Sequence, residues 1–398
     1  MRTETTHSLA GLTGADVAAL VGAPPEPRRV VGLPVWSRPE AAAAAASLAN
    51  TDGGLIVVGA ATAATGAITG IGGAGVSEAE LAAIAGDLSP EGAHLINVKL
   101  VDVGGSRCGI VRVAESADPP VVVEGDGGIY RRTEAGLQRV TSRSDLDQLY
   151  EKGRGLRARA VTNLDALLKR ISFDHSNYMT IAVAAAPRFA GPYPYEWVVE
   201  NQAALVDPSL PFVRRCALDA SSLQVTPGEV TISLPGDSTG FIRIVRNGCI
   251  AVGQRLMRPA QDQFVSPAEL SAELAEMVDV LAMPYRATSA GLILGAALLE
   301  GVRDLRLPVP GGLTMPTGKD LVERYLPERY LEDPGQRADF VRDLQEAVGS
   351  VFNADLVNGT GEPYAGPVES LSLDHKSWHG TTKRTERRLT GARGHGSV

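Results

Sequence analysis

The chain has 398 residues, 44% of them apolar and 21% charged, and a net charge of −8. That composition suits a large core in two or three globular units. The charge argues against a protein that coats nucleic acid nonspecifically, although a local basic face stays compatible with it. The longest apolar runs, at 41–46 and 290–299, fall far short of the roughly 20 residues that a membrane-spanning helix needs.

In chain order, residues 1–12 read as loosely ordered. Thr13 starts a short helix that Pro24 and Pro25 break. Residues 30–36 form a candidate edge strand, because Pro34 keeps it from a sheet centre. An alanine-rich helix over 40–49 opens at Pro39. It stops at Asn50-Thr51-Asp52-Gly53-Gly54, where Asn50 and the glycines suit a left-handed helix end. The apolar run 55–58 then reads as a strand buried on both faces. Residues 61–75 form a small-residue loop, and Ser77 with Glu80 makes a capping box for a helix over 78–86. Strands at 97–103 and 107–113 flank a Gly104-Gly105 turn. Further strands are expected at 121–123 and 129–132, and a helix over 143–150 behind Ser142.

A shift in composition follows. Residues 131–170 hold ten Lys or Arg against five Asp or Glu. Within them Lys152-Gly153-Arg154-Gly155 reads as an interdomain linker, taken as 151–160. The second half is expected to hold a helix over 163–171, a strand at 178–186 and a helix over 195–205. Two hairpins turn at 226–228 and at Arg246-Asn247-Gly248, where Asn-Gly is a strong hairpin signal. Ser266, Pro267 and Glu269 start a helix to about 283. Its face carries Leu270, Leu274, Met277, Val278 and Leu281, which suits covering a sheet. A strand at 292–299 and helices over 319–325 and 336–352 complete a domain over 161–372. The tail 373–398 is basic and nearly free of apolar residues, so disorder is expected there.

Four stretches of the first 150 residues resemble the Schlafen-type Alba-like domain family, also described as divergent AAA or ATP-binding. Ala49-Asn50-Thr51-Asp52-Gly53-Gly54 with Leu55 to Gly59 resembles its Asn-Thr-Gly-Gly core. Gly66-Ala67-Ile68-Thr69-Gly70-Ile71 is similar to its hairpin. Val111-Arg112-Val113, Ser116 and Pro119-Pro120 resemble a third motif, and Ile129-Tyr130-Arg131-Arg132 a fourth. The resemblance implies an α+β chain. An Alba-like mixed sheet with helices over 1–150 precedes a second α+β domain of antiparallel hairpins and covering helices. It also implies DNA, RNA or nucleotide binding, with ATP as the cofactor it brings in. Active nucleases of the family carry acidic residues and an E-F-K strand upstream of the core. Here Glu26 matches the first acid and the triplet is absent, so binding is implied rather than cleavage.

The candidate contacts to phosphate are Asn50, Thr51, Gly53, Gly54, Arg131, Arg132, Arg139 and Arg143. Backbone N–H groups of the first four could meet an anion, although a tight turn alone accounts for them. The arginines could form charge-assisted bonds to a sugar-phosphate backbone, or simply face solvent. Tyr130 could stack on a base, or sit half-buried in the core. The G-x-G-x-x-G at 70–75 has too short a strand before it for a dinucleotide site. Gly312 to Lys319 has the wrong spacing for a P-loop, with Asp320 where Ser or Thr belongs. No catalytic triad or metal-ligand spacing is visible. Cys108, Cys216 and Cys249 lie far apart with no CxxC, which points to a reducing cytoplasm. No apolar run follows the charged start, so no signal peptide is expected.

Three functions follow as expectations. The first is a cytoplasmic bacterial nucleic-acid-binding protein in regulation or defence, with a degenerate nuclease motif. The second is an assembly protein forming a homo-oligomer. The third is a nucleotide hydrolase or Schlafen-like endoribonuclease.

Overall fold

The computed structural model describes residues 12–90, 92–171, 178–188, 193–233, 240–257, 266–288, 291–303, 308–309, 312–313, 321–352, 354 and 356–357. The fold is α+β. The first unit runs through α1 (Gly14–Ala18), β1 (Val30–Leu33), α2 (Arg38–Ala49), β2 (Gly54–Val58), β3 (Ala60–Thr62), β4 (Ile68–Ile71) and α3 (Glu78–Ala82). It continues through β5 (Leu88–Ser89), α4 (Gly92–Leu95), β6 (Ile96–Val103), β7 (Ser106–Val113), β8 (Val122–Val123), β9 (Gly128–Thr133) and β10 (Gly136–Arg139).

A mixed sheet of order β1-β2-β7-β6 forms its centre, with β1 parallel to β2 and the other pairs antiparallel. Alternation along β2 serves two cores. Ile56 and Val58 pack with α2, whereas Leu55 and Val57 pack with Leu12, Val17 and Ile68. Beyond α2 lies a second sheet of order β10-β9-β8-β5. Between these sheets α2 is buried almost all round, at Ala41, Ala42, Ala44, Ala45, Ala46, Ser47, Leu48 and Ala49. Its small side chains let both layers approach closely.

A single helix, α5 (Arg143–Ile171), carries the chain into the second half. This corrects the linker at 151–160 and the two separate helices around it. Gly153 is where it is because a Cβ there would stand 3.2 Å from Pro119 Cδ of the first unit. The glycine serves close packing inside a helix. The C-terminal half of α5 buries Ala160, Leu164, Leu167, Leu168 and Ile171 against alanines of the next sheet.

That unit comprises β11 (Tyr178–Pro187), α6 (Tyr193–Glu200), α7 (Gln202–Leu205), α8 (Pro211–Arg215), β12 (Leu223–Thr226), β13 (Glu229–Ser233), β14 (Gly240–Val245) and β15 (Ile250–Met257). It ends with α9 (Pro267–Thr288), β16 (Leu292–Glu300), the two-residue pair β17 (Pro308–Val309) and β18 (Gly312–Leu313), β19 (Leu321–Tyr330) and α10 (Pro334–Phe352). The seven-stranded sheet has the order β12-β13-β14-β15-β11-β16-β19, antiparallel throughout. α5 covers one face, and α6, α9 and α10 cover the other. The expected face of α9 is the buried one. The helix expected over 319–325 is instead β19, an edge strand that inserts Val322 and Leu326 into the core on a two-residue period. The tail 373–398, the first eleven residues and positions 314–320 lie outside the described residues.

The halves meet at two polar nodes. Arg188 is 5% exposed, binds Glu328 at 2.7 Å, and donates to Gly153 O at 3.3 Å. Arg157 of α5 holds the same Glu328 at 2.9 Å. At the other node the His94 ring stacks on Tyr330, with centroids 3.7 Å apart. Beside it lies Glu332, whose carboxyl oxygens have no hydrogen-bond partner among the described residues and one of which stands 3.8 Å from His94 Nδ1. Burial pushes the Glu332 carboxyl up to about 7.

Two outcomes follow from this packing. Limited trypsin digestion of the native protein is expected to leave Lys152, Arg154, Arg157 and Arg159 uncut, and early cleavage there would contradict a continuous α5. The folded state also keeps the Glu332 proton at pH values where the unfolded chain has lost it. Its contribution is therefore full below the unfolded carboxyl range and declines as pH rises through about 7. Urea midpoints measured from pH 4.5 to 8 should fall less steeply for Glu332→Gln than for the parent protein. Parallel curves would rule the assignment out.

Candidate functional site

The helix end at Asn50 is built differently from the sequence expectation. Asn50 is right-handed, with φ −72°, and the left-handed turn is carried by Gly53 at φ 66°. Gly54 could not be replaced, because a Cβ would lie 2.1 Å from Arg29 O. The Asn50 amide is then free to point across the layers. Its Nδ2 donates to Val121 O and Tyr130 O, both at 2.9 Å, and its Oδ1 accepts from Val121 N at 2.6 Å. Thr51 Oγ1 donates to Ser47 O at 2.7 Å and accepts from Arg132 N at 2.9 Å.

The backbone donors of this turn are also used. Asn50 N bonds Ala46 O, while Thr51 N and Gly53 N both bond Leu48 O. Lys152 of α5 donates to Thr51 O and, at 3.3 Å, to Asn50 O, so a cation meets the carbonyl end of α2. Lys152 also pairs with Glu115 at 2.8 Å. Asn50, Thr51, Gly53 and Gly54 thus fasten β9, the segment before β8 and α5 to α2.

The predicted arginines divide between two surfaces. Residues alternate across β9, so Arg131 faces α5 and binds Asp145 at 2.8 Å. Arg132 and Tyr130 face the other way. Opposite them on β10 stand Leu137 and Arg139, with Arg139 over the Tyr130 ring at 5.9 Å. The Tyr130 hydroxyl bonds Asp126, which raises the phenol and lowers the carboxyl. Arg143 stands apart at the start of α5, 94% exposed and 3.9 Å from Asp147.

A cleft of about 440 Å³ opens beside Asn50 and Thr51, lined by Arg28, Arg131, Arg132 and Lys152 together with Asp52 and Glu134. Arg28 pairs with Asp52 at 2.9 Å. Arg132 is the exception among these cations. Its Nε donates to Pro27 O at 2.7 Å, burial lowers its guanidinium, and no carboxylate pairs with it among the described residues. Arg132 also lines a second, larger cleft between α2 and the β8–β10 sheet. Arg28 and Lys152 were not singled out from the sequence, since neither lies in a motif and Lys152 read as linker.

The G-x-G-x-x-G begins near the end of β4, whose antiparallel hairpin with β3 turns at 63–67, so these glycines lie in the second hairpin strand and just beyond it. Among the described residues, no group of three or more His, Cys, Asp or Glu could hold a metal ion, and no helix is long and apolar enough to cross a membrane. No family model and no curated protein matches the chain. A crystal structure of the DIP2311 protein from Corynebacterium diphtheriae is 19% identical, covering 32% of this chain and 29% of that one at a TM-score of 0.25. The chain thus spans under a third of that protein's length, and a likeness at this level carries no argument.

Replacing Asn50 with Ala strands Val121 N, Val121 O and Tyr130 O in a buried interface. The expected loss is about 2–4 kcal/mol in urea denaturation. Asn50→Asp should lose nearly as much, because a carboxylate cannot donate to the two carbonyls. A variant within about 0.5 kcal/mol of the parent would sink this account.

Proposed function

We propose that the first unit is a Schlafen-type Alba-like binding domain. Its ligand is a nucleic-acid strand or nucleotide, and its phosphates meet the cleft beside Asn50 and Thr51. The observation that carries this reading is Arg132, a part-buried guanidinium that no carboxylate among the described residues pairs with, at the mouth of a cleft that three further cations line. Part-exposed pairs such as Arg28–Asp52 contribute little, so a phosphate can replace the carboxylate at small cost. The role is binding, since Asp52 is engaged by Arg28 and Lys152 by the end of α2. Regulation or defence in a bacterial cytoplasm is the setting that this reading suggests.

Fluorescence anisotropy with labelled single- and double-stranded 20-mers of DNA and RNA, and with labelled ATP, tests it. Binding at about 50 mM salt should weaken steeply by 200 mM, since bound phosphates release counterions. Charge reversal at Arg131 and Arg132 together should weaken it at least tenfold. Arg246→Glu, in the β14–β15 turn, serves as the control. No binding by any probe at low salt would overturn the proposal.

A further inference from the structure

The second cleft that Arg132 lines has a different chemistry. It encloses about 720 Å³, within the range of small-molecule sites. Its walls are Val31, Leu33, Ala43, Val123, Tyr130 and Leu137. Leu137 is 48% exposed, one of few large apolar side chains so placed among the described residues. An apolar concavity of this kind gains by covering that surface.

The charged groups of the lining mostly pair off. Arg38 holds Asp87 through two bonds of 2.7 Å. Asp126 accepts from the Tyr130 hydroxyl and from Gly128 N, with Arg139 nearby. Glu40 is exposed in the first turn of α2, whereas Arg132 bonds Thr51 beyond the last turn. Eleven residues of helical rise separate those ends by roughly 16 Å. Among the described residues no carboxylate pairs with Arg132, so it meets the cleft as a cation without a fixed counter-ion. Its Nε–H is committed to Pro27 O, which leaves the two Nη groups for a ligand. Such a pair of donors matches the two oxygens of one carboxylate. A nucleobase would find few partners here, because the polar atoms around Tyr130 are spent.

We propose that this cleft binds a small organic carboxylate, with its apolar body along α2 and its head on Arg132. The assignment does not rest on nucleic-acid binding. Octanoate and octan-1-ol are the probes, titrated calorimetrically into the full chain. Octanoate is expected to bind saturably at one site. Ala43→Trp, which fills the cleft, should weaken both probes at least tenfold. Arg132→Gln should weaken octanoate about tenfold and leave octan-1-ol unchanged. If circular dichroism shows that Arg132→Gln is unfolded, Arg132→Lys replaces it, with a loss of several-fold expected for octanoate alone because the forked geometry is gone. Absence of saturable octanoate binding overturns the proposal, as does binding that Ala43→Trp leaves intact. A dimer in light scattering that Ala43→Trp dissociates would assign the cleft to a second copy of the chain instead.

Discussion

The Asn50 carboxamide is the contact on which the first unit depends. A sheet, a helix and a second sheet must be held in layers, yet the helix between them has almost only methyl groups to offer. Alanine allows close approach and fixes no register. The three hydrogen bonds from one buried amide, with those of Thr51, supply it. The β10-β9-β8-β5 sheet then takes up one position against α2, and the clefts on either side of Arg132 follow from that position.

This placement also governs the electrostatics. The chain is acidic overall, and Arg28, Arg131, Lys152 and Arg157 are each paired with a carboxylate, Asp52, Asp145, Glu115 or Glu328. What distinguishes Arg132 is the strand that carries it. Its backbone N–H is tied to Thr51 and its Nε to Pro27, so the guanidinium is held between two openings. A fixed cation loses little freedom on meeting an anion, whereas a mobile surface arginine loses more.

Much of the local structure is legible in the sequence. Capping residues such as Ser77 with Glu80, glycine turns such as Gly104-Gly105, and the periodic face of α9 all mark their elements correctly. The errors share a physical source. Gly153 and Gly155 lower helix propensity, so the stretch reads as a break, but burial along α5 outweighs that cost. At 321–326 the mixture of Leu321, Val322, Tyr325 and Leu326 with Glu323 and Arg324 suits a helix or an edge strand equally, and pairing with β16 decides. The conformation of Asn50 was misread because its residue type suits a left-handed cap. Its bonds span about 70 to 80 positions, and no local pattern encodes them.

The length of α5 has a thermodynamic consequence. At about 43 Å, it carries Leu149 and Gly153 in the first unit and Leu164 to Ile171 in the second. Melting either unit would leave half of one helix without its apolar cover, in a segment whose hydrogen bonds propagate cooperatively. The two cores are thereby coupled through one helix, so a ligand that stabilises the first is expected to raise the resistance of the second to heat as well.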